Sequence, residues 1–489
     1  QMARKVAEDP LRQWTLDYLQ QHPAATLREL LAAAMLRSYS ASPTESFFTA
    51  GGMHRFSNFE RRDNTRVMTV AEAFSRSVNL VFVRMMRDVA RYYTLEIPGA
   101  RELLENRDDP RRREYLERFA DMEGQTYLQQ FYRRYGKLPA ELLLAELADR
   151  TKPLPGRLSM VFRSVLPDAN VEALAAFLGA RLSEELLQEI DAGKLYQQYD
   201  PARFDSNDRA YLAKVHPLEL WLVKYLLDNP GASLQQLVSA STEARQDAYA
   251  WLTRSRKERA QNNRIRILLE QDAFESIHQQ WQRLGYPFSS LVPSYATALG
   301  ASADRPTALA ELMGIIVNDG ARLPLRQLEE LHFARGTPYE TEFHLRPPQG
   351  HRVLSTEIAR TVRRALADIV DTGTARRLRG VLVDAAGQAV EVGGKTGTGD
   401  HRSKIFGPGR QLLAEEVVNR NALFTFFIGD RFFGVILAHV GGAQAEGFEF
   451  TSGLPAQLLK VLLPSLRPLL TEEAAGPVAG IPAALPSGG

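Results

Sequence analysis

A polar string, Gly393-Gly394-Lys395-Thr396-Gly397-Thr398, ends a β-prone segment in the C-terminal part of the sequence. A lysine beside two hydroxyl groups can bind a carboxylate next to a reactive carbonyl, because the ammonium supplies charge and the hydroxyls supply directed hydrogen bonds. Gly397, between the two hydroxyl residues, allows a ligand to approach the strand closely. The string is not a phosphate-binding loop, since Ala389 stands where such a loop requires its first glycine.

A second string, Ser77-Val78-Asn79, lies at the junction of two predicted helices. Thr69 and Glu72 have the spacing of a capping box, which predicts that the first helix begins at Val70. Polar side chains in such an apolar stretch need hydrogen-bond partners. Taken alone, the string has a local explanation, because serine and asparagine often satisfy nearby backbone groups.

Together the two strings resemble the second and third motifs of penicillin-binding protein transpeptidases. The resemblance covers about 50–90 and 286–465 and is closest to the bifunctional class A cell-wall synthases. Two linking segments also look like this family: Ala298-Leu299-Gly300-Ala301-Ser302 leading into Pro306-Thr307-Ala308-Leu309, and Asp371-Thr372-Gly373-Thr374-Ala375.

The resemblance implies an α+β fold of the penicillin-binding protein and serine β-lactamase type, with helices covering an antiparallel sheet. The residues support this independently. The segments 389–398, 423–428 and 432–440 are rich in β-branched and aromatic residues, and a Gly-Asp-Arg turn separates the last two. We therefore predict that these three strands form one antiparallel sheet.

The resemblance also implies roles for individual residues. Ser77 would relay protons near the leaving group, Asn79 would hold the peptide amide, and Lys395 would support the charge network. The segment Thr396-Gly397-Thr398 would bind the terminal carboxylate, with the Thr398 N–H contributing to an oxyanion hole. The implied ligands are peptidoglycan stem peptides ending in D-Ala-D-Ala, and β-lactams if a nucleophile is present. No cofactor is implied.

One departure from the family is decisive for activity. The family's nucleophile lies in a Ser-x-x-Lys motif, and no serine of this sequence has lysine three residues later. One explanation is that the sequence is a fragment, with its nucleophile, membrane anchor and possible glycosyltransferase domain upstream. The resemblance then implies a location on the periplasmic side of a bacterial inner membrane. The alternatives are a catalytically dead scaffold and a relative of D,D-carboxypeptidases or β-lactamases.

A second departure is the distance between the two strings, which indicates a large helical insertion with a possible envelope protein partner. The predicted segments are a helical module at 1–48, the first part of the transpeptidase core at 49–90, a helical insertion at 91–285, the second part of the core at 286–468, and a disordered tail at 469–489.

The sequence contains one internal repeat. Ten positions within 10–30 match positions within 217–237 at a constant offset of 207, including the pairs Trp14/Trp221 and Tyr18/Tyr225. We predict a duplicated helical hairpin; a protein-docking module is the alternative. An isolated helical hairpin buries little apolar surface, so we expect both copies to form one satellite domain.

Composition narrows the function further. The 60 basic and 58 acidic residues nearly balance, which gives no reason to expect nucleic-acid binding. There are no cysteines, which excludes disulfides, thiolate catalysis and cysteine-based metal sites. None of the nine histidines belongs to a His-x-x-x-His pair, so this spacing predicts no metal site.

Overall fold

The computed structural model describes residues 9–49, 52–254, 258–326, 328, 330–344, 349–384, 387–406 and 412–471. The chain divides into two compact units. Unit 1 comprises Gln1–Pro98 and Glu270–Gly489, and unit 2 comprises Gly99–Leu269. Unit 2 lies within the predicted insertion, whereas the other predicted boundaries stay predictions. Residues 472–489, most of the predicted tail, lie outside the described part of the chain.

Unit 1 contains a three-stranded antiparallel sheet, as predicted. We call its members the lysine strand (Val392–Phe406), the middle strand (Leu412–Ile428) and the edge strand (Phe432–Gly441). The middle strand pairs with both others. The first two strands are longer than predicted, because their pairing continues beyond Thr398 through polar and charged residues that a search for apolar β-prone runs does not select.

Helices pack against this sheet around one apolar core. Leu366, Ile369 and Val370 of helix Thr356–Asp371 are buried against Phe424 and Phe427 of the middle strand. The helices that lie wholly in unit 1 are Pro10–Gln21, Leu27–Met35, Val70–Arg76, Asn79–Glu96, Pro306–Val317, Thr356–Asp371 and Gly453–Thr471. The mixed α+β class predicted from the sequence is confirmed.

Four short two-stranded sheets complete the strands of unit 1 among the described residues. All four are antiparallel. They pair Ser38–Ser40 with Val67–Thr69, Phe47–Thr49 with Gly52–His54, Ala321–Arg322 with His351–Arg352, and Glu330–Phe333 with Thr341–His344.

The regular secondary structure of unit 2 is helical throughout the described residues 99–254 and 258–269, with loops and turns between the helices. Its main core gathers leucines and aromatics from several helices, among them Leu128, Tyr135, Leu147 and Leu222. The helices are Ala100–Glu105, Arg111–Tyr135, Ala140–Asp149, Pro155–Val165, Val171–Gly179, Glu184–Glu189, Ala192–Gln198, Ser206–Ala213, Pro217–Asp228, Leu234–Ala240, Thr242–Ala248 and Ala250–Arg254. Helix Glu258–Arg283 begins in unit 2 and ends in unit 1. No described helix is long and apolar enough to cross a membrane.

The repeat adopts the predicted hairpin in both copies. We call Pro10–Gln21 with Leu27–Met35 the first hairpin, and Pro217–Asp228 with Leu234–Ala240 the second hairpin. In each, a proline opens the first helix and a capping box opens the second. The expectation of one satellite domain is wrong, because the first hairpin belongs to unit 1 and the second to unit 2.

The residues that end the first helix have nearly the same geometry in both hairpins. His22 has φ −132° and ψ 70°, and Asn229 has φ −133° and ψ 72°. The tryptophan of each helix stacks on the tyrosine one turn later, with ring centroids 5.7 Å apart in the first hairpin and 5.0 Å apart in the second. Local sequence therefore determines the backbone of this element in two separate units.

Candidate functional site

Ser77 is positioned by the end of a short helix. Helix Val70–Arg76 begins as predicted, with the Thr69 hydroxyl accepting a hydrogen bond from the Glu72 N–H at 3.1 Å. The helix ends because Ser77 adopts the left-handed conformation, with φ 56° and ψ 48°. This conformation is unfavourable for a residue with a Cβ atom, and such strain is concentrated at functional sites.

Lys395 meets Ser77 across 318 residues of sequence. Its Nζ donates to the Ser77 Oγ at 2.5 Å and to the Thr396 carbonyl oxygen at 3.0 Å. The Lys395 Nζ also lies 5.7 Å from the centre of the Phe74 ring. The predicted convergence of the two strings is therefore confirmed for Ser77 and Lys395.

The surroundings of Lys395 change its acidity. Burial lowers the pKa of its ammonium from the ordinary 10.5 to about 8, because the charged form loses hydration. A lysine with such a pKa is partly neutral near neutral pH and can exchange a proton with the serine hydroxyl beside it. The Ser77–Lys395 pair can therefore act as a proton relay.

The segment 371–375 connects helix Val70–Arg76, which precedes Ser77, to the lysine strand. The Ser75 hydroxyl lies 3.4 Å from the Thr372 hydroxyl, and the Thr374 N–H donates to the Ser75 carbonyl oxygen at 3.3 Å. Thr374 then hydrogen-bonds Thr396 through their hydroxyl groups at 2.7 Å. A Cβ atom on Gly373 would lie 2.4 Å from the Ser75 carbonyl oxygen, so only glycine fits this contact.

Glycines also bring the lysine strand close to its neighbours. A Cβ atom on Gly394 would lie 2.3 Å from the Thr425 carbonyl oxygen, and one on Gly393 would lie 2.3 Å from the Phe427 ring. Gly397 is different, since a Cβ there would meet the flexible Leu423 side chain at 3.2 Å. Gly393 and Gly394 are therefore packing requirements, whereas the ligand access predicted for Gly397 stays a prediction.

The remaining predicted site residues make other contacts. Asn79 opens helix Asn79–Glu96 and donates from Nδ2 to the Ser57 carbonyl oxygen at 3.0 Å. Thr396 is buried against Thr374, whereas Thr398 is exposed and its hydroxyl accepts from the Ser452 N–H at 2.9 Å. The roles of Asn79, Thr396, Gly397 and Thr398 in binding a ligand stay predictions.

Sequence reasoning assigned no role to Ser75, Thr372 or Thr374. The segment 371–375 had been noted only as similar to the family. A signal was present, because Thr-Gly-Thr directly follows a strongly amphipathic helix and offers two hydroxyls around one permissive glycine. Only the tertiary contact shows that these hydroxyls join the two strings.

The region around Lys395 matches the model of a known protein family. The model of the penicillin binding protein transpeptidase domain matches residues 277–406, which include the lysine strand and the segment 371–375. Residues 277–406 are therefore similar to a penicillin-binding protein transpeptidase domain. Domains of this family are extracytoplasmic and generally bind peptidoglycan stem peptides and β-lactams. The Ser77 string lies outside the matched range.

Solved structures of penicillin-binding proteins are also similar to the chain. Penicillin-binding protein 3 from Mycobacterium tuberculosis, complexed with aztreonam, is 18% identical with a TM-score of 0.26, covering 44% of this chain and 51% of that one. Penicillin-binding protein 2B from Streptococcus pneumoniae is 16% identical with a TM-score of 0.29, covering 42% and 34%. The chain thus spans about half, or less, of these relatives.

A third similar structure is the transpeptidase domain of penicillin-binding protein 3 from Burkholderia pseudomallei, 18% identical with a TM-score of 0.26, covering 41% of this chain and 60% of that one. At these scores the solved structures add no argument to the family match. No curated protein sequence matches the chain.

Proposed function

We propose that this chain is part of a peptidoglycan D,D-transpeptidase that cross-links cell-wall stem peptides on the periplasmic side of the inner membrane. The observation that carries the proposal is the 2.5 Å contact between Lys395 and Ser77. A buried lysine of lowered pKa, held on a serine hydroxyl, suits proton transfer during acyl transfer.

In the proposed reaction, the nucleophile is the serine of a Ser-x-x-Lys motif outside these 489 residues. Its hydroxyl gives its proton to the lysine of the same motif and attacks the carbonyl of the penultimate D-Ala, and the terminal D-Ala leaves as an amine that must gain a proton. Ser77 supplies that proton and regains one from Lys395. An amine from a second stem peptide then attacks the acyl-enzyme and loses a proton to Lys395 through Ser77. The cross-link forms as the serine leaves and regains its proton from the lysine of its motif.

The substrate is held by side chains flanking this pair. The side-chain Oδ1 of Asn79 is a suitable acceptor for the peptide amide, since the Nδ2 of the same side chain already donates to the Ser57 carbonyl oxygen. The exposed Thr398 hydroxyl accepts from the Ser452 N–H and can still donate its proton to the terminal carboxylate. Thr396 must first release Thr374 if it is to bind the same carboxylate.

A catalytically dead scaffold is the second candidate function. The absence of Ser-x-x-Lys from all 489 residues favours it, because acylation requires a nucleophile with an adjacent base. The two candidates differ in one measurable property: only the transpeptidase forms a covalent bond with penicillin once the upstream sequence is present.

The experiment compares two proteins, the 489-residue chain and a longer gene product that includes the upstream sequence. Both are incubated with a fluorescent penicillin and separated under denaturing conditions. We expect labelling of the longer protein alone. In that protein, Lys395→Ala and Ser77→Ala should each slow acylation by at least about 100-fold, because proton transfer is worth that much.

The matched control is Lys460→Ala, which removes an exposed lysine from a helix of the same unit and should leave labelling unchanged. An unlabelled longer protein would favour the scaffold. Covalent labelling of the 489-residue chain, mapped by mass spectrometry to Ser77 or another of its serines, would overturn the assignment of an external nucleophile.

A further inference from the structure

A second cluster of reactive side chains lies on the two-stranded sheet of Glu330–Phe333 and Thr341–His344, which we call the Glu-His hairpin. Each strand contains a Glu-x-His sequence. The antiparallel register places Glu330 opposite His344 and His332 opposite Glu342. Since residues two apart point to the same face of a strand, all four side chains share one face.

These side chains are already close to one another. Carboxylate oxygens of Glu330 and Glu342 and an imidazole nitrogen of His332 all lie within 4.8 Å of one another. The His344 Nε2 lies 3.5 Å from Glu342, and its Nδ1 lies 3.6 Å from Glu330. Glu340, in the connecting loop, has its Oε1 2.5 Å from the His332 Nε2.

The arrangement gathers three carboxylates and two imidazoles around one small area. Neutral imidazole nitrogens and carboxylate oxygens are the donors with which proteins bind Zn²⁺, at about 2.0–2.2 Å in tetrahedral geometry. Such bond lengths place neighbouring ligand atoms about 3.4 Å apart. The side chains are at least partly exposed, so small rotations suffice to bring their ligand atoms together.

We propose that the Glu-His hairpin is a zinc site, with Glu330, His332 and Glu342 as ligands and His344 completing the tetrahedron. With the other ring nitrogen of His332 on the ion, Glu340 accepts a hydrogen bond from the His332 Nε2, as carboxylates beside metal-bound histidines do. The site shares no residue with the Ser77–Lys395 pair, and the proposal does not depend on the transpeptidase function. Sequence reasoning missed it because that reasoning considered only His-x-x-x-His spacing.

The role that fits the geometry is structural. A two-stranded hairpin is marginally stable on its own. Its other face carries Leu331, Phe333 and Phe343, which are 44%, 52% and 58% exposed and so contribute little buried apolar area. Because ligands come from both strands, zinc binding stabilises the pairing directly. The ion therefore links the two strands and stabilises a hairpin that buries little apolar area.

The experiment titrates Zn²⁺ alone into the tag-free 489-residue chain and measures heat release. We expect one equivalent to bind. His332→Ala and Glu342→Gln should each weaken binding by about 100-fold or more, since even residues that only orient metal ligands contribute 10- to 100-fold. His351→Gln and Glu357→Gln, exposed positions outside the hairpin, should bind like the parent chain.

Hydrogen exchange shows whether the ion binds at this site. Zn²⁺ should slow exchange of the hairpin amides in the parent chain and leave it unchanged in His332→Ala. If the variants lose affinity through unfolding instead, exchange will accelerate throughout unit 1 without zinc. Failure of the parent chain to bind one equivalent, or binding by both hairpin variants with unchanged affinity, overturns the proposal.

Discussion

The two repeat hairpins have the same backbone but different surroundings. Leu226 in the second hairpin is 4% exposed, whereas the equivalent Leu19 in the first hairpin is 36% exposed. Val223 and Leu16 form a similar pair, fully buried in one copy and 38% exposed in the other. The capping residues and prolines therefore determine the shape of the hairpin, and the unit around it determines how much each side chain contributes to stability.

One pair of equivalent positions has opposite charges. In the second hairpin, the buried Glu219 accepts from Arg150 at 2.6 Å and from the Tyr135 hydroxyl at 2.8 Å. Burial, with Glu219 nearby, raises the pKa of Tyr135 and keeps this hydroxyl a donor. In the first hairpin, the equivalent residue is Arg12, which forms an ion pair with Glu96 near the surface. Duplication has kept a charge at this position while its sign and burial changed.

The largest expected difference is at this charged position. Glu219→Ala leaves a buried tyrosine hydroxyl and an arginine without their acceptor, and should lower the free energy of unfolding of unit 2 by about 3–5 kcal/mol. Arg12→Ala removes a partly exposed pair and should cost unit 1 less than about 1 kcal/mol. Urea unfolding, with each transition assigned by hydrogen exchange, measures both. Equal losses would contradict the comparison.

The next effect concerns matched leucines. Leu226→Ala should destabilise unit 2 by about 3 kcal/mol, because it removes a buried side chain and leaves a cavity. Leu19→Ala should cost unit 1 less than about 1 kcal/mol, because the side chain is partly in solvent already. The same unfolding experiment applies. A loss for Leu19→Ala as large as that for Leu226→Ala would contradict the comparison.

A third prediction compares buried charges in the two units. Glu219 has a charged partner, whereas Lys395 faces a serine hydroxyl and its pKa is lowered to about 8. Between pH 8 and its ordinary pKa of 10.5, Lys395 is deprotonated in the folded state and protonated in the unfolded state. Unit 1 should therefore gain stability as pH rises through this window, by about 3 kcal/mol relative to Lys395→Met.

The measurement for Lys395 is the free energy of unfolding of unit 1 for both proteins at several pH values. Groups other than Lys395 titrate in both proteins and cancel in the difference. Ser77→Ala, which keeps the buried amine, should retain the slope. A pH-independent difference between the parent chain and Lys395→Met would show that the amine is not desolvated.

The smallest predicted effect is one that should be equal in the two copies. Thr26 and Ser233 each cap a helix through a complete capping box at an exposed position. Replacing either by alanine should cost about 1 kcal/mol, because each loses the same two hydrogen bonds. Hydrogen exchange of the first helical turn measures each loss locally. Clearly unequal losses would show that the caps depend on their unit.

The elements that the sequence predicted correctly are those with local causes. Thr69 marks a helix start because capping acts within one turn, and the repeat predicts its two hairpins for the same reason. The meeting of Ser77 with Lys395 was predictable only through resemblance, since no local rule connects residues 318 apart. The lowered pKa, the close contact at Gly373 and the burial of the second hairpin all depend on tertiary packing.

The position of unit 2 within the chain has a consequence for the order of synthesis. Unit 1 is discontinuous, so its sheet is made only after unit 2 is complete at Leu269. Lys395 leaves the ribosome 318 residues after Ser77, or roughly 15 to 65 seconds later at typical elongation rates. Throughout this interval Ser77 and helix Val70–Arg76 lack the lysine strand that they contact. The inserted helical unit is thus the first of the two that can fold completely, and the contact between Ser77 and Lys395 forms only near the end of translation.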